Sequence, residues 1–235
     1  MVIILPYMSK LFGRPILFAL SCALGLPLAP AAAAPPDAAQ ADAARATVRA
    51  ALTNPDAAVP PMAVWWLQRH ALAQPEPALA KLTAELTHRV DTALDDRAAS
   101  DALRLLLWAG QAALETVGAR AQADRLAAAV IAEPVVADEA TLADQVIILW
   151  ALAEAGATLD VDEWLAAAAA RAPELLGDGQ TLLPDMRQEP YATALLALAR
   201  LQAAGQPVDA LLTNLHAAHD AAYGLADGTY ERRPD

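Results

Sequence analysis

Cysteine is almost missing from this chain. Of 235 residues only Cys22 carries a thiol, and it sits inside an apolar N-terminal segment. Glycine is sparse, aromatic residues make up 5% of the chain, β-branched runs are short, and no stretch alternates apolar and polar residues for long. A β-rich fold is therefore excluded. Lysine is nearly absent too, with only Lys10 and Lys81. There is no Gly-x-Ser-x-Gly, no phosphate-binding loop and no dinucleotide fingerprint, which removes the commonest motif-bearing enzyme classes. What fills the chain instead is alanine, roughly a quarter of all residues, the side chain that favours helix most. An all-α fold is the expectation.

The first 34 residues read as a secretory signal. Lys10 and Arg14 supply a positive start, Ile16 to Leu28 an apolar run, and Ala31 to Ala34 a small-residue cleavage zone. Met8 is an alternative start. Counted from Pro15, the apolar run spans about 15 residues and also holds Pro27, short of the roughly 20 needed to cross a bilayer, so no stable membrane anchor is expected after cleavage. Cys22 lacks the leucine three residues earlier that lipid attachment would favour. Removal of the segment leaves no cysteine, which excludes Cys-based catalysis and disulfides from the mature form. The chain is expected in the periplasm or secreted. All 28 acidic residues follow the signal, with 14 of the 16 basic ones, so the mature charge is about −14. Such a surface repels phosphate backbones, and nucleic acid is excluded as a partner.

Residues 35–60 form a Pro/Ala-rich linker holding a leading helix over 41–52, and 61–235 form a domain of helical hairpins. Trp66, Trp108 and Trp150 lie 42 residues apart, each in an apolar helical run. A constant period of this length predicts stacked hairpins that bury their faces against their neighbours. About four hairpins follow, as an α-solenoid or a partial α/α toroid. In the second member of the first pair, Leu79, Leu82, Leu86, Val90 and Leu94 make one apolar stripe. Ser100 is the predicted N-cap of the Trp108 helix, and Gly118 separates that helix from the next. The Trp150 helix, apolar nearly all round, is expected to be buried on more than one side. Gly156 is the predicted stop of that helix, and Asp160 with Glu163 a capping box for the one after. Ala155-Gly156 recurs as Ala204-Gly205 and Asp178-Gly179 as Asp227-Gly228, both shifted by 49, with Pro207 in a first turn. The longer loop 177–190 absorbs the change of period, and long loops are where repeat proteins place specificity.

The tryptophans are expected mainly as packing between helices. Adjacent helical positions point about 100° apart, so of Trp65 and Trp66 one can reach the surface, and Trp65 is the candidate for ligand stacking. His216-x-x-His219-Asp220 has a metal-like spacing, but His219 shares a stripe with Val208, Leu211 and Leu215. It is read as a core-edge histidine, and neither metal nor cofactor is expected. The loops hold the remaining candidates. Asp185, Glu189, Asp227 and Glu231 are possible general acids and bases, and Asp178, Arg187, Tyr191 and Tyr230 possible binding residues.

The segment YATALLALARLQAAGQPVDALL…DGTY (191–230) resembles one hairpin of the α/α-toroid superfamily, the terpenoid cyclase and prenyltransferase-like repeats. Thr193, Ala194, Asp227, Gly228 and Tyr230 match its Thr/Ala-rich helix start and Asp-Gly-aromatic turn. The resemblance implies similar hairpin packing and carries no activity. The expected function is an exported binding or scaffold protein, without catalysis of its own, whose partner is another protein or an envelope component. The alternative is an envelope hydrolase or lyase using paired carboxylates at 178–191 and 227–231.

Overall fold

The computed structural model describes residues 59–73, 75, 77–136, 141–181 and 188–223. The signal segment and the leading helix of 41–52 lie outside the described residues. Among these residues every regular element is a helix. The helices are α1 (Pro61–Ala73), α2 (Pro77–Ala93), α3 (Ala98–Ala113), α4 (Ala119–Ala132), α5 (Leu142–Leu159), α6 (Asp162–Leu176), α7 (Gln188–Ala203) and α8 (Asp209–Tyr223). They form four consecutive pairs at the places the hydrophobic pattern predicts, and the protein is all-α. The chain divides between Leu94 and Asp95 into two compact units, with α1 and α2 in one and α3 to α8 in the other.

In the first unit α1 packs against α2. Leu86 and Val90 of the predicted stripe are buried, while Leu79, Leu82 and Leu94 are only half-buried. Between the helices the Gln68 amide donates to Thr87 Oγ1 at 2.8 Å, both groups being buried. Pairing them removes a desolvation cost that either would carry alone.

In the second unit α5 packs against α3, α6 and α7, while α4 packs on α3 and α8 on α7. One layer thus holds α3, α5 and α7, with their following helices outside it. This contact with three neighbours explains why α5 is apolar all round: Val146, Ile148, Leu149 and Leu152 are all inaccessible to solvent. By length and composition α5 could also cross a membrane, yet about two-thirds of it is buried inside the fold.

The turns after α3, α5 and α7 share one geometry. Each helix ends at a residue with left-handed backbone: Glu115 (φ 60°), Asp160 (φ 55°) and Gly205 (φ 78°). In each, the next amide closes a six-residue ring back to the helix: Thr116 N–H to Gln111 O, Val161 N–H to Gly156 O, and Gln206 N–H to Leu201 O, at 2.9–3.0 Å. This is a Schellman stop. The three stops stand at 115, 160 and 205, so the structural repeat is 45 residues. The tryptophan spacing of 42 is therefore not the repeat. Trp108 lies seven residues before its stop and Trp150 ten, an offset that turns the two side chains about 60° apart around the helix. Trp150 is accordingly buried and Trp108 half-buried.

Four local expectations change with this register. Ser100 does not cap α3, which begins at Ala98 after Arg97. Its hydroxyl donates to the Asp95 carboxylate, and that bond, followed by Arg97, holds the Asp95 carboxyl below its ordinary pKa. Gly156 does not end α5, which runs on to Leu159. A Cβ there would stand 3.0 Å from Leu165 Cγ and 3.1 Å from Leu165 N, so glycine is needed for the close approach of α6. Asp160 is the stop of α5 and does not cap α6, whose N-cap is Val161 without a side-chain bond. Pro207 precedes α8 rather than entering its first turn.

Candidate functional site

Most of the loop candidates, namely Asp185, Arg187, Asp227, Tyr230 and Glu231, lie outside the described residues. Glu189 falls in the first turn of α7. Asp178 is exposed in the turn after α6, where its Oδ1 accepts from the Gln180 amide and its carbonyl from Asn214 Nδ2 of α8, both at 2.9 Å. Gly179, with φ 73°, lies so close to α8 that a Cβ would meet Leu211 O and Leu215 N at 3.0 Å. This turn is a packing joint between α6 and α8.

Tyr191 and His219, considered separately in the sequence, belong to one contact. Their rings stack at 3.6 Å between centroids and 7° between planes, tying the start of α7 to the end of α8. Both are buried, and burial pushes the His219 imidazole down to about 4 against a smaller opposing pull from Asp220. His219 is the core-edge histidine the stripe implied. His216 is exposed and pairs instead with Asp220, Nδ1 to Oδ2 at 3.2 Å. Among the described residues no group of three or more His, Cys, Asp or Glu is placed to hold a metal ion. Of the tryptophan pair, Trp65 is the buried member, at 2% exposure. The half-buried one is Trp66, stacked on His70 one turn on at 5.7 Å. The surface candidate is therefore Trp66 and not Trp65, because α1 turns the Trp65 face inward.

Two charged residues in the second unit were not singled out by the sequence. Arg171 of α6 is 5% exposed and donates to Gln145 Oε1 at 3.0 Å, Val130 O at 3.2 Å and Glu133 O at 2.7 Å. Val130 and Glu133 end α4, so the guanidinium satisfies carbonyls the helix leaves open and ties α4, α5 and α6 together. Burial lowers its pKa, but arginine remains charged.

The second is Glu154 of α5, with no solvent exposure, whose Oε2 stands 3.1 Å from Arg200 Nε of α7. Thr158 Oγ1 donates to the other oxygen at 3.5 Å. Arg200 emerges from this buried contact into a shallow cleft of about 220 Å³ at the ends of α5 and α7 and the start of α6. Asp160, Asp162 and Leu165 line it, with Ala157, Ala203 and Ala204 as small walls. A fully buried carboxylate costs several kcal/mol to desolvate, and its partner roughly offsets that cost without adding stability. The repeat makes the pair more informative. At the 45-residue equivalents of Glu154 stand Ala109 and Ala199, and at those of Arg200 stand Gly110 and Ala155. The array elsewhere needs only a small side chain at either place. One signal was available in the sequence: Glu154 is the lone acid in the second half of an otherwise apolar helix, and such an acid requires a cation. Comparison with protein-family models, characterised proteins and solved structures finds no match for this chain.

Proposed function

We propose that the chain is an exported α-solenoid-type scaffold of the periplasm or cell envelope, acting by binding another protein or an envelope component. The observation that best supports this reading is the 45-residue recurrence of the helix stops at Glu115, Asp160 and Gly205. Repeats of this kind bury one face of each unit on its neighbours and leave the outer faces and turn edges to partners. Much of the buried polar chemistry, from Gln68–Thr87 to the Arg171 contacts, joins helix to helix.

Photo-crosslinking in cells tests the reading, with the reactive residue at the exposed positions Arg125, Ala128, Ala166 and Ala203. A scaffold gives one adduct of constant mass from neighbouring positions in the envelope fraction, unchanged by Asp185→Asn with Asp227→Asn. Absence of any adduct, or a chain kept in the cytoplasm with its N-terminus intact, refutes the proposal.

A further inference from the structure

We draw no further inference here: the strongest candidate, the face of α3 where the half-buried Trp108 and the buried Gln111 leave their Nε1 and Nε2 donors without acceptors one turn apart among the described residues, carries nothing, because nothing in the structure shows what covers it.

Discussion

Glu115→Gly should stabilise the second unit, and the reason lies in the backbone alone. Glu115 ends α3 with φ 60°, a conformation that costs an L-residue about 1–2 kcal/mol. Glycine avoids that cost but gives back about 0.5–1 kcal/mol as greater freedom in the unfolded chain. The substitution also removes a negative charge from a helix C-terminus, where the macrodipole disfavours it. The net gain is about 1 kcal/mol, a rise in Tm of about 2–4 °C for a chain of this size. Asp160→Gly, at the equivalent stop with φ 55°, should add a gain of the same sign. Gly205→Ala is the converse control. A Cβ there meets nothing within 4 Å, so any loss of about 1 kcal/mol comes from φ 78° and not from a clash. Glu115→Gln separates charge from backbone, since it keeps the strained φ. Thermal melts followed by circular dichroism read all four. The reasoning fails if Glu115→Gly lowers Tm, or if Gly205→Ala melts with the wild type.

Three other outcomes follow from the packing. Gly156→Ala, which in an open helix would stabilise by about 1 kcal/mol, should instead cost about 1–3 kcal/mol, because its Cβ meets Leu165 N at 3.1 Å; urea denaturation gives the sign. Arg171→Met keeps the apolar stem but strands the carbonyls of Val130 and Glu133 and the Gln145 amide oxygen. It should lower stability by about 2–4 kcal/mol, and hydrogen exchange should show the α4–α6 region opening first. His219 makes stability pH-dependent. Its folded pKa of about 4 lies below the unfolded value, so the unfolded chain takes up a proton first. Stability is at its full value above about pH 6.5 and declines as pH falls toward 4, by about 1–3 kcal/mol. His219→Phe should retain a ring against Tyr191 and flatten that slope in melts between pH 4 and 7.5; an unchanged slope would show that other groups carry it.

The helices were legible in the sequence because alanine content and apolar stripes act locally, and those signals survive in a single chain. The repeat was legible only in outline, since its true markers are backbone conformations. Of the three stops, Gly205 carries the residue type that most favours a left-handed turn, Asp160 one that tolerates it, and Glu115 one that gives no such signal. Gly156, the glycine of the Ala-Gly recurrence in α5, serves close packing against Leu165 instead. Tryptophan offered a period of 42 because two large rings can fill neighbouring positions around successive helices without being equivalent. The candidate cleft was hidden for a related reason. Glu154 and Arg200 stand 46 residues apart, and they meet only because helices one repeat apart lie side by side. With the register at 45, Glu154 aligns with Ala199, the neighbour of Arg200 on α7. The pair therefore bridges adjacent repeats almost level with one another, and a charge at either place in any repeat would need its partner one unit away.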